Sequence, residues 1–289
     1  MTIITAVVPH LLLELRMRSG ATASVYANPR TIAGVLLAIV GFLIAAHIIG
    51  QYTKIYLGHT HAFGLIDLFD LNREGNLPTL YASMTLLLCA CLLAVIGAIK
   101  LCMRDAFFWH WAGLACVFLF LSVDEGVALH ERLTDPFRTT LDESGLLYQA
   151  AWIIPYLALL GSFLALYFRF ALHLPRRTML RFVLAGAIFV GGSIGGELLG
   201  ALHHVLLGKQ LDMSYALLIA LEEGMEMGGI VVFVFAVVSY LGNEVERLEI
   251  LFESGREDRR ALSRQDVGLS PAPSGEPGSS FHEPARRSS

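Results

Sequence analysis

The sequence predicts an all-α polytopic membrane protein, a bundle of six transmembrane helices. Of its 289 residues, 55% are hydrophobic and only 16% are charged. The mean hydropathy of +0.61 lies outside the range of ordinary soluble domains. Six apolar stretches, at 31–51, 79–101, 107–131, 149–170, 182–207 and 214–241, each approach or exceed the ~20 helical residues that cross a hydrocarbon core of about 30 Å. Lipid accepts only helices or closed barrels, and continuous rather than alternating apolar runs select helices.

Each element has its own local signal. Span one follows Arg30 and carries His47 near its far end, its one polar side chain between Thr31 and Gln51. Span two begins beside Pro78, tolerated there because a first-turn residue needs no N–H. Span three opens on Trp109, His110 and Trp111, an aromatic belt at one membrane interface. Span four ends in a basic cluster, Arg169, Arg176, Arg177 and Arg181. Spans five and six contain Gly191, Gly192, Gly195, Gly196 and then Gly224, Gly228, Gly229, which read as tight helix contacts in lipid. The longest connection, Gln51 to Pro78, carries His59, His61, Phe63, Leu65, Ile66, Leu68 and Phe69, a pattern for a short re-entrant or interfacial element.

Three regions follow. Residues 1–30 form an N-terminal segment in which the apolar Met1–Leu13 suits a helix lying on the membrane surface. It lacks an early basic region and a cleavage site, so a cleaved signal peptide is not expected. Residues 31–253 form the membrane domain. Residues 254–289 run through Arg, Glu, Ser, Pro and Gly with almost no large apolar side chain, the composition of a disordered tail.

Lysine and arginine are partitioned between alternate loops, sixteen against five, with Lys54, Arg73, Arg132, Arg138 and Lys209 on the poorer side. The positive-inside rule therefore places both termini in the cytoplasm of a cell membrane. Cys89, Cys91, Cys102 and Cys116 fall in or beside spans two and three, so no disulfide framework outside the membrane is implied. Phosphate loops, nucleophile elbows and nucleic-acid motifs are missing, which leaves the lipid bilayer as the one evident partner and no nucleic acid.

The functional signal is a set of ionisable residues inside three spans. They are Asp124, Glu125, His130 and Glu131; Glu197, His203 and His204; and Glu222, Glu223 and Glu226. An ionisable group at bilayer depth costs about 2.5–3.5 kcal/mol on insertion scales, so such groups pair, bind ions or line water. With both termini inside, all three motifs fall in the outer half of the bilayer. Glu222, Glu223 and Glu226 span an arc of about 100° on their helix, and Glu197 and His204 are nearly eclipsed. Asp124 and Glu131 likewise share a stripe, with Glu125 at its flank. His130 and His203 lie roughly 120° off their stripes and are the weaker donors.

Carboxylates this dense in a low dielectric need protons or cations to neutralise them. The first reading is an outward-facing site in which Asp124, Glu125, His130, Glu131, Glu197, His204, Glu222, Glu223 and Glu226 hold one or two divalent metals: iron, zinc or manganese. If the chain is an enzyme, metal-activated water would attack a lipid-like or apolar small-molecule substrate, or a di-iron centre would oxidise it. A second reading is a proton- or cation-coupled transporter or ion pathway. The inner halves of spans five and six, almost wholly apolar, favour a site open to one side. A third reading is a scaffold in which the acids only lock helices together.

Overall fold

The computed structural model describes residues 16–18, 22–24, 28–59, 62–129, 153–208 and 212–244. Six of its helices are long and apolar enough to cross a membrane. They are α1 (Pro29–Tyr56), α3 (Leu77–Cys102), α4 (Phe108–Val127), α5 (Ile153–His173), α6 (Arg176–Leu207) and α7 (Met213–Glu244), with a four-residue α2 (Leu65–Leu68) in the first loop. The expected spans and the observed helices correspond one to one. A three-residue antiparallel ladder, β1 (Arg16–Arg18) with β2 (Thr22–Ser24), precedes them. The expected surface helix at Met1–Leu13 and the tail 254–289 lie outside the described residues.

Helix starts obey local chemistry. Asn28 accepts the Arg30 N–H at 3.0 Å with Pro29 following it, and Asn76 accepts the Thr79 N–H at 3.2 Å ahead of Pro78. Asp212 accepts the Tyr215 N–H at 2.9 Å and so caps α7. Each satisfies a first-turn donor that the helix itself leaves open. Helix α4 ends sooner than its hydropathy suggests. Ala128 takes a left-handed conformation (φ 55°, ψ 48°) and returns its N–H to the Asp124 carbonyl. The stripe expected to run on from Asp124 is therefore interrupted at Ala128; Glu131 lies outside the described residues.

Helix α7 is the axis of the bundle. It packs on α6, α1 and α3, while α3 also packs on α4. Half of the most apolar window of α7 is buried, against 6% for that of α5, which runs along the edge. One end of the bundle is closed by a core of Leu93, Ile96, Trp111, Phe233, Val234 and Val237. Phe233 stacks on Phe118 at 4.3 Å, and Trp111 stacks on Tyr240 at 4.9 Å. Side chains such as Leu37, Phe42, Leu164 and Phe168 face outward, as lipid-contacting residues must.

The closest approach is between α6 and α7, at glycines. A Cβ on Gly192 would sit 2.8 Å from Met225 Cβ and 2.9 Å from the Glu222 carbonyl oxygen. One on Gly196 would sit 2.5 Å from Glu222 Cβ and Cγ, and one on Gly229 would meet the Phe189 nitrogen at 2.7 Å. These backbones touch because nothing lies between them, the small-residue mode of packing in lipid. Gly195, by contrast, faces open space. Gly192→Ala is therefore expected to destabilise the protein by about 1–3 kcal/mol through overpacking, while Gly195→Ala leaves it unchanged. Thermal unfolding of both variants in one detergent checks the contrast.

Candidate functional site: a carboxylate junction between helices

Because Gly196 has no side chain, the Glu222 side chain lies flat against α6. Glu197 and Glu223 are within charge-interaction range of it. One turn further along α7, Glu226 comes within range of Glu125 on α4, of Glu222 and of Glu197, with the Ser193 hydroxyl as its hydrogen-bond partner. Glu223 faces Glu226, Glu125 and Glu74. Glu222, Glu223 and Glu226 are all partly buried. Three helices and one loop thus contribute six carboxyl groups linked by charge interactions. Five of them are among the sequence candidates. Glu74, in the loop before α3, is not, and nothing in its local sequence marks it.

The remaining candidates go elsewhere. Asp124 is buried and accepts a hydrogen bond from the Tyr156 hydroxyl of α5 at 3.0 Å, so it ties α4 to α5. His203 lies 3.0 Å from Ser214 Oγ and 3.5 Å from Asp212 Oδ1, bracing the end of α6 against the α7 cap. His204 Nε2 is buried and meets no hydrogen-bond partner among the described residues. His130 and Glu131 lie outside the described residues. Among the described residues, no group of three or more His, Cys, Asp or Glu side chains forms a ready metal-ligand set. Tyr81 and Ser122, hydroxyls near the expected site, are used in packing: Tyr81 donates to the Leu36 carbonyl at 3.0 Å, and Ser122 donates to the Ser83 carbonyl at 2.8 Å.

A polar pin holds the loop over this end of the bundle. His47 of α1 is only 2% exposed. Its Nδ1 receives the Leu71 N–H at 3.0 Å, and its Nε2 donates to the Ala216 carbonyl of α7 at 3.3 Å. Asp70 Oδ1 lies 3.4 Å from the same ring. Span one alone reads as ending in an interfacial histidine; its partners, 24 and 169 residues away, make it a structural link instead.

Burial works against ionised Asp70, but the His47 ring, the Asn72 N–H and the Gln51 side chain outweigh it and hold the carboxyl below its ordinary value near 3.8. A lowered carboxyl pKa adds stability that is fully present above the unfolded value and is lost as pH falls through the folded one. Asp70→Asn should therefore cost about 1–3 kcal/mol at neutral pH, and its difference from the wild type should shrink below about pH 4. Unfolding measured at pH 7 and pH 3 tests this; an equal difference at both values contradicts it.

No curated protein and no solved structure matches the chain. A family model does match, over residues 31–241, the whole six-helix region. The chain therefore belongs to the family described as a domain of unknown function, DUF8692.

Proposed function

We propose that the carboxylate junction is an intramembrane cation site that opens toward the loop-covered end of the bundle and binds a divalent metal. The observation that carries this reading is that Glu125, Glu197, Glu222, Glu223 and Glu226, contributed by three helices, are linked by charge interactions with one another. Like charges so placed repel strongly in a low dielectric, and a bound cation removes the penalty. The donors gathered there are oxygens. Such a set suits manganese or iron better than zinc, because hard oxygen ligands favour the harder ions. The Nε2 of His204, without a hydrogen-bond partner among the described residues and on the same face of α6 as Glu197, supports an imidazole contribution.

The apolar core below the junction supports a site with one opening. Phe233 packs against both Phe118 and Phe182, within an apolar core that also takes in Ile230, Val234 and Val237 of α7. By the distribution of lysine and arginine, the opening faces away from the cytoplasm.

One observation favours a second reading, in which the carboxyls carry protons rather than a metal. Glu226 already has a hydrogen-bonding hydroxyl in Ser193, and neighbouring carboxyls can share protons instead of a cation. Metal analysis of the purified full-length protein separates the two. The metal reading expects near-stoichiometric manganese or iron that falls severalfold or more in Glu197→Gln and in Glu226→Gln, with folding retained. Metal-free wild-type protein whose proton uptake is lost in the same variants would establish the second reading. Metal content unchanged in both variants would remove the junction as its site.

A further inference from the structure

The opposite end of the bundle carries a feature that the carboxylate junction does not involve. Two adjoining clefts, of about 260 and 430 Å³, lie where α1 and α6 begin and α7 ends. Arg177, Arg181 and Asn243 line both; Arg176 and Tyr240 complete the first, and Arg30 the second. Arg177 and Arg181 are one turn apart on the same face of α6. Among the described residues, none of these four arginines has a carboxylate partner within ion-pair distance. Arg181 instead lies over the Phe235 ring at 4.8 Å, which fixes its guanidinium at the cleft wall.

Helix α6 adds to the positive field. It begins after Pro175 with no side-chain cap, and its first residues, Arg176, Arg177 and Thr178, line the first cleft, so the positive end of its dipole lies there. Four guanidinium groups beside an uncapped helix start select an anion with several oxygens, and guanidinium forks match phosphate geometry.

The surroundings distinguish a lipid phosphate from a dissolved one. Phe235 and Val238 form part of the second cleft, so its wall is partly apolar. One turn deeper on α6, Leu180, Val183 and Leu184 are 54%, 59% and 53% exposed, an outward apolar strip directly below the arginines. A molecule with a phosphate head and hydrocarbon tails satisfies both surfaces at once, whereas free phosphate satisfies only the first. Basic pockets between transmembrane helices at the membrane surface are suited to such headgroups. We propose that this arginine cleft binds the phosphodiester headgroup of an anionic phospholipid, with the acyl chains lying along α6.

The test uses full-length protein equilibrated in vesicles of equal phosphatidylglycerol and phosphatidylcholine, with retained lipid read by native mass spectrometry. The wild type is expected to keep phosphatidylglycerol in preference. Arg177→Gln combined with Arg181→Gln should lower that preference about tenfold or more. Arg30→Gln alone, on the far wall, should lower it less; it decides the matter if the double variant does not fold. Equal retention of the two lipids by the wild type overturns the proposal, as does a preference that survives the substitutions. Complete displacement of phosphatidylglycerol by inorganic phosphate would also overturn it, by making the cleft a site for the free anion.

Discussion

At Gly192 and Gly196 the backbone of α6 comes so near α7 that no side chain fits between them, and the rest of the polar architecture depends on that approach. Glycine removes the Cβ that would keep the axes apart, and in lipid such contacts are held by dispersion and shape rather than by exclusion of water. The consequence is chemical as well as mechanical. The Glu222 side chain lies against α6, and Glu226 comes to Ser193 and Glu197. Helix α4, packed on α3, presents Glu125 to the same junction. Separating α6 from α7 by the width of one methyl group would disperse the cluster.

The two ends of the bundle are built for opposite charges, with an apolar layer between them. At the loop-covered end carboxyls gather under a lid pinned by His47 and Asp70. At the other end arginines gather around an uncapped helix start. Packed rings of Phe118, Phe182, Phe233, Trp111 and Tyr240 occupy the layer on the arginine side of the carboxyls.

Much of this was legible in the sequence because lipid imposes strong, local rules. Hydropathy located six spans, and the glycine clusters of spans five and six marked positions of tight helix contact. Helical phase put Glu222, Glu223 and Glu226 on one arc, since positions on a helix face follow from spacing alone. What escaped depended on distant partners or on a turn with no punctuation. His47 looked interfacial because Leu71 and Ala216 cannot be paired with it by spacing. Asp124 was grouped with Glu125, yet adjacent residues point about 100° apart on a helix, and Asp124 reaches Tyr156 on α5 instead. Ala128 ends α4 without the glycine or proline that normally announces a stop. His203, read as a weaker donor, braces the Asp212 cap, a pairing across two helices that spacing alone does not reveal.

The central claim is the close contact of α6 with α7 at the carboxyls, and cysteine cross-linking in native membranes measures it most directly. With Cys89, Cys91, Cys102 and Cys116 replaced by alanine, Ser193→Cys paired with Glu226→Cys should form a disulfide readily on mild oxidation. Gly186→Cys, about two turns away along α6, paired with the same Glu226→Cys should not. Efficient cross-linking of the second pair, or none of the first in folded protein, would contradict the contact on which the carboxylate junction stands.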